Sequence, residues 1–278
     1  MAPKKIIHPA PGKMAYHNPE FIDSEAGRPI RILSEFFAPG QVLEQEEIKN
    51  SIVFFGSART LPPAEIKKRR KGCKDKKELD RLARLEKVAQ SYDDARELAA
   101  RLGKWANKRH QGYAIMTGGG PGIMEAGNRG ANDVGTPSIG LNIKLPFEQH
   151  PNPYIDNGLS LQFRYFFIRK YWFLRKARAL VVFPGGFGTF DEMFEMLTLI
   201  QTDKYAQQLP VVIFDSKFWK KVVNWEYLAE AGMINKEDLK LFKFCDSVDE
   251  AYDFITGTLD KQEEEWTMFN GNRNGKKK

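Results

Sequence analysis

Two glycine-rich segments have the composition of anion-binding loops: Thr117-Gly118-Gly119-Gly120-Pro121-Gly122 and Pro184-Gly185-Gly186-Phe187-Gly188-Thr189. Each follows a short apolar run (113–116 and 179–183) and precedes a segment of helical composition. A helix start carries unpaired backbone N–H groups and the positive end of the dipole, and glycine lets an anion approach the chain closely. One such turn is an ordinary strand-to-helix connection. Two at equivalent places predict a shared site, with Gly118, Gly119, Gly120, Gly185, Gly186 and Gly188 supplying backbone donors. Ser57 and Thr189 add hydroxyls, which either bind phosphate or cap a helix.

Several chemistries are excluded. Neither loop contains Gly-Lys-Ser/Thr, so a P-loop triphosphatase does not fit. The first loop lacks the third glycine of the dinucleotide fingerprint, and the next strand ends in Leu141-Asn142 rather than in an acid for a ribose. The four histidines, at 8, 17, 110 and 150, are scattered, and Cys73 and Cys245 have no metal-ligand spacing. No metal and no organic cofactor is implied. The formal charge of +7 suits anionic ligands in general. Much of it lies in Lys67-Lys68-Arg69-Arg70-Lys71 and in the tail Lys276-Lys277-Lys278, which read as solvated surface. Nucleic-acid binding through the basic segment is a weaker alternative, and no membrane role is expected, since no apolar run approaches the roughly 20 residues of a span. Unpaired cysteines and a start that lacks a signal-peptide pattern predict a cytoplasmic protein.

The run Pro184-Gly185-Gly186-Phe187-Gly188-Thr189-Phe190-Asp191-Glu192 resembles the PGGxGTxxE motif of the LOG ("lonely guy") family, the cytokinin riboside 5′-monophosphate phosphoribohydrolases. Arg169-Lys170 is similar to that family's second motif, at its usual spacing before the proline. Gly118 to Ala126 resembles its first glycine loop, and Phe55-Gly56-Ser57-Ala58-Arg59 its first strand end; the likeness runs over residues 50–256. Phe166-Phe167-Ile168 stands where short members carry methionines. That context, the N-terminal extension and the charged insertion resemble the longer bacterial branch. The resemblance implies a Rossmann-like homodimer that cleaves a nucleoside 5′-monophosphate, AMP or a cytokinin riboside monophosphate, to free base and ribose 5-phosphate.

That reaction has a physical requirement. Breaking the C1′–N bond passes through an oxocarbenium-like transition state, as in glycoside hydrolysis. A carboxylate near the sugar stabilises the cation, holds ribose hydroxyls and orients water. The motif gives this role to Glu192, whose alternative is an acid complementing a helix dipole. Arg169 is expected to bind phosphate or ribose and support that carboxylate; composition alone would make it a solvated arginine beside Arg164, Arg175 and Arg178. Lys170 is a weaker substrate-binding candidate. Asp191 reads as a helix-start residue, and Glu125 as either a substrate contact or a helix-dipole acid. Aromatic residues between Phe163 and Phe173 read as core or interface before any base platform. The principal rival function is a non-catalytic nucleotide-binding or sensing protein. A lysine decarboxylase has little support, because no lysine stands in the glycine motifs.

The elements that must position these residues follow from the apolar pattern. With 42% hydrophobic and 28% charged residues over 278 positions, the chain can bury a substantial core. Strands are predicted at 52–55, 113–116, 137–141, 159–163, 179–183 and 211–214. Helices are predicted at 92–109, 123–132, 164–178 and from the second loop to about 202, then onward to about 256, with a shorter one at 30–37. Continuous apolar strands alternating with helices predict an α/β fold, a mostly parallel sheet with helices on both faces. Residues 1–48 form an extension packing on the main domain, 49–260 the Rossmann-like nucleotide-binding domain with a helical insertion at about 61–90, and 261–278 a tail.

Overall fold

A computed structural model describes residues 12, 14–146, 150–204 and 209–274, the last nine of these as backbone only. The basic residues at both chain ends, 1–5 and 276–278, lie outside the described residues, as do parts of the predicted extension and tail.

In chain order the helices α1 (Pro19–Asp23) and α2 (Arg28–Gln45) lead into β1 (Asn50–Phe55). Two short helices, α3 (Pro63–Arg70) and α4 (Lys76–Glu86), precede α5 (Gln90–Asn107) and β2 (Tyr113–Thr117). Then come α6 (Ile123–Asn132), β3 (Ser138–Ile143), β4 (Ser160–Phe163), α7 (Phe166–Lys176) and β5 (Ala177–Val182). The chain continues through α8 (Phe187–Gln201), β6 (Val211–Phe214), α9 (Ser216–Val222), α10 (Trp225–Glu230), β7 (Lys243–Cys245) and α11 (Val248–Asn274).

The seven strands form one sheet in the order β4-β3-β2-β1-β5-β6-β7, and every neighbouring pair is parallel. Strand order runs outward from β1 in one direction and resumes at β5 in the other. The loops leaving β1 and β5 therefore diverge at the topological switch point, where ligands bind in open α/β sheets. Along β1 successive side chains enter opposite cores. Val53 and Phe55 join the cluster under α7, α8, α9 and α10, while Ile52 and Phe54 join the cluster under α5, α6 and α11. Burial of both faces explains why the strands read as continuous apolar runs, each large side chain contributing about 1.5–3 kcal/mol.

Some boundaries differ from the sequence reading, for local reasons. The predicted helix at 164–178 is the shorter α7, because Arg164 and Tyr165 give their N–H groups to Glu35 and strand β5 begins at Ala177 with no intervening loop. The predicted 30–37 helix extends to Arg28–Gln45 and carries Pro39 inside it. Strand β7 was not foreseen: it has only three residues, one of them an exposed lysine and only one of them buried. Helices α3 and α4 close on a small cluster of their own, Ile66, Leu82 and Ala89 with Leu61 and Leu85. Both cysteines are free thiols, and among the described residues no helix is long and apolar enough to cross a membrane.

Candidate active site

At the carboxyl ends of β1, β2 and β5 lies a cleft of about 540 Å³. Phe55 to Arg59 form its wall after β1; Gly118 and Met124 close the side toward β2; Arg169 and Phe173 come from α7. Gly186 to Phe190 and Glu192 line it from the loop and first turns of α8. The β1 loop ties the others together: Ser57 donates its N–H to Pro184 O at 3.0 Å and accepts the Ile123 N–H at 3.1 Å. Both glycine loops are thus fastened to one strand end.

Each loop is built by contacts that a larger residue would break. Gly119 has φ 71° and sits so close to Asn142 that a Cβ would lie 2.2 Å from its Oδ1. Gly185 leaves room for Thr189, whose Oγ1 would be 2.1 Å from an added Cβ. Behind the first loop runs a buried polar network. Thr117 Oγ1 accepts the Gly119 N–H and donates to Asn128 Oδ1, while Asn128 Nδ2 donates to Ser138 Oγ. Asn152 Nδ2 donates to Gly120 O and Asn128 Oδ1, and its N–H to Gly119 O. Such fully paired networks fix a single geometry.

Of the residues predicted from sequence, Ser57, Gly118, Arg169, Gly186, Gly188, Thr189 and Glu192 meet in the cleft. Gly119, Gly120 and Gly185 lie behind it and shape the two turns. Lys170 is turned away, pairing with Asp191 at 2.8 Å and Glu195 at 2.7 Å. Asp191 is thereby an outward ion-pair partner, and Glu125 accepts the Tyr92 hydroxyl at 2.6 Å. Among the aromatic residues singled out, Phe163, Trp172 and Phe173 are core, and Phe166 and Phe167 are exposed.

The charged centre is the pair Arg169 and Glu192. Arg169 Nη2 lies 3.4 Å from Glu192 Oε1, with side chains 13% and 8% exposed. Burial pushes the Glu192 carboxyl up from its ordinary 4.5 to about 7, against the lowering influence of Arg169 and Lys170. Burial likewise lowers the Arg169 guanidinium, outweighing Glu192. Arg169 also stands over the rings of Phe166 and Phe173, at 5.2 and 5.5 Å. Its Nε is buried and, among the described residues, has no hydrogen-bond partner.

The sequence reading did not single out Arg59 as a site residue, although it closes the quoted FGSAR segment. It lines the cleft, is exposed, and among the described residues its guanidinium makes no hydrogen bond or ion pair. Among the described residues no group of three or more His, Cys, Asp or Glu is arranged to hold a metal ion.

The family model described as "possible lysine decarboxylase", the domain of LOG proteins, matches residues 124–255, which include Arg169, the second glycine loop and Glu192. The match covers less than half of the chain, and it lies in the part that carries the resemblance to the LOG family. No curated protein matches it. Three solved structures show a distant similarity. A structural-genomics target, TM1055, is 19% identical with a TM-score of 0.45, covering 75% of this chain and 99% of that one. The molybdenum cofactor carrier protein of Chlamydomonas reinhardtii is 18% identical, TM-score 0.49, covering 76% and 99%. The molybdenum cofactor binding protein of Rippkaea orientalis is 15% identical, TM-score 0.47, covering 76% and 98%.

Proposed function

We propose that the cleft binds a nucleoside 5′-monophosphate, such as AMP or a cytokinin riboside monophosphate, and hydrolyses its N-glycosidic bond. The observation that carries this reading is the buried Arg169–Glu192 pair beside the glycine loop at Gly186 and Gly188. In the proposed reaction the loop N–H groups and the Thr189 hydroxyl hold the phosphate, which fixes C1′ near Glu192. The ionised Glu192 carboxylate stabilises the developing cation and orients water, which adds to C1′ as the C1′–N bond breaks. The base leaves with the bonding pair and takes a proton, so the products are free base and ribose 5-phosphate. Arg169 holds Glu192 in place and favours its ionised form. A decarboxylase that works through a lysine Schiff base would need a lysine in the cleft, and among the described residues none lines it.

A panel of nucleoside monophosphates assayed for released base tests the reading. Base released from at least one of them, with ribose 5-phosphate in equal amount, is the expected result. Tight nucleotide binding with no base released would make the protein a binding or carrier module instead. A cytoplasmic homodimer completes the proposal. The exposed rings of Phe166 and Phe187 beside the cleft offer apolar contact area, and the mass in solution checks it.

A further inference from the structure

Among the described residues none before β1 lines the cleft, yet α2 grips the helix that carries Arg169. The two Glu35 carboxylate oxygens accept consecutive backbone N–H groups at the start of α7, from Arg164 at 2.9 Å and from Tyr165 at 3.2 Å. The backbone oxygen of the same residue accepts Trp172 Nε1 at 3.2 Å. A Cβ on Gly40 would lie 2.8 Å from the Trp172 ring, so α2 and the indole are in close contact. Arg169 stands between these fixed points, four residues after Tyr165 and three before Trp172.

Helix α7 needs an outside hold. Its N-cap Tyr165 makes no side-chain cap bond and its first turn carries no acid. An eleven-residue helix is marginal without tertiary support. Glu35 supplies a negative charge and two acceptors at the positive end of its dipole. A two-oxygen grip on consecutive N–H groups fixes the position and rotation of the helix start more tightly than apolar packing does. Rotation of α7 moves Arg169 relative to Glu192, and 3.4 Å leaves little slack before the contact is lost.

We propose that α2 is a brace for the catalytic helix and that Glu35 is a positioning residue that sets Arg169 against Glu192. The inference rests on Arg169 and Glu192 being the working pair. Its closing experiment therefore includes readouts that need no turnover.

Full-length Glu35→Ala and Glu35→Gln are compared with wild type by hydrogen exchange, by NMR titration of the Glu192 carboxyl, and by base release. In Glu35→Ala the amides of residues 166–173 exchange faster while β1 and β5 keep their protection. Because the Arg169 charge lowers the Glu192 pKa, its displacement moves the titration to higher pH. Turnover falls about tenfold or more with KM little changed, the kind of loss that follows misplacement of a catalytic group. Glu35→Gln keeps one acceptor oxygen and recovers part of each effect. Unchanged exchange in 166–173 and an unmoved Glu192 titration in Glu35→Ala would overturn the proposal. So would uniform loss of protection with the titration unmoved, which would make Glu35 a stabiliser of the whole fold. If wild type cleaves no nucleotide the catalytic reading falls, and the exchange and titration results still decide whether Glu35 sets the pair.

Discussion

Arg169 and Glu192 face each other at 3.4 Å inside the cleft wall, and burial drives both toward their neutral forms despite their opposite charges. A pair held this way is costly to the fold, since desolvation offsets most of its attraction. Strained ionisation of this kind concentrates at functional sites. We expect Glu192→Gln to fold normally and to lose at least about a hundredfold in turnover, the low end of what a positioned acid–base group contributes. Arg169→Ala should lose turnover and weaken substrate binding as well. A Glu192→Gln variant working at near wild-type rate on every active nucleotide would remove that carboxylate from the mechanism.

The raised Glu192 pKa makes two pH predictions of fixed sign. If the ionised carboxylate does the work, kcat/KM rises with pH and levels off above a midpoint near 7. Stability runs the other way. Between 4.5 and about 7 the native state holds a proton that the unfolded state has lost, so stability falls as pH rises through that window. The fall attributable to this group is at most about 3 kcal/mol. Glu192→Gln lacks this dependence, so denaturant melts at pH 5 and pH 8 should show the variant gaining on wild type at the higher pH. A gain at the lower pH instead would contradict the raised pKa.

Gly185 and Gly186 are adjacent and should respond oppositely to alanine. A Cβ at Gly185 meets the Thr189 side chain at 2.1 Å, whereas one at Gly186 meets nothing within 4 Å. Gly185→Ala should therefore destabilise the fold by about 1–3 kcal/mol, as overpacking does. Gly186→Ala should melt like wild type, yet its methyl stands in the cleft wall where a phosphate would rest. Its KM for the monophosphate should rise about tenfold, a cost near 1.4 kcal/mol. Equal melting temperatures for both variants would show that the Thr189 contact relaxes freely.

The parts of this site that were legible in the sequence are those written in short, contiguous signals. Continuous apolar runs marked β1, β2, β5 and β6 because both sheet faces are covered, and glycines after β1, β2 and β5 marked the turns. The PGGxGTxxE run carried Glu192, and spacing carried Arg169. What spacing alone leaves open is which glycines face the ligand: Gly119, Gly120 and Gly185 serve turn geometry, and only the packing of Asn142, Asn152 and Thr189 reveals it. Lys170 has the right sequence position, but the 2.8 and 2.7 Å ion pairs hold it outside. Long-range partners such as Glu35 with α7, 129 and 130 residues apart, leave no local trace at all.

The charged helices α3 and α4 give a further test. Their apolar side chains close on one another, Arg70 pairs with Glu86 at 2.5 Å, and neither helix lines the cleft. Replacing residues 67–87 by a short linker should keep kcat within about twofold while costing stability through the loss of buried Leu82, about 1.5–3 kcal/mol. A folded deletion variant without activity would mean that the segment reaches the substrate. Salt-dependent DNA retention by wild type, lost in the deletion, would give the basic segment a nucleic-acid role instead.

The 5′-phosphate bears most directly on the proposed chemistry. Gly186 and Gly188 open the start of α8 to the cleft, Thr189 adds a hydroxyl, and Arg59 stands at the same cleft with its guanidinium unpaired among the described residues. Backbone donors, a helix start and a free cation suit a dianion and give little to a neutral sugar. If these groups hold the phosphate, they fix C1′ against Glu192, and binding energy far from the reacting bond raises turnover as well as affinity. Charge-assisted hydrogen bonds contribute about 1.5–3 kcal/mol each. Losing two should lower kcat/KM by at least about a hundredfold, at about 1.4 kcal/mol per factor of ten. We therefore expect AMP, or whichever monophosphate is preferred, to be cleaved far faster than its nucleoside. Arg59→Ala should narrow that gap by slowing the monophosphate alone, and Arg59→Lys should restore part of it. Equal efficiency on nucleotide and nucleoside would mean that the glycine loops hold no phosphate, and the positioning of C1′ that the mechanism requires would be lost with it.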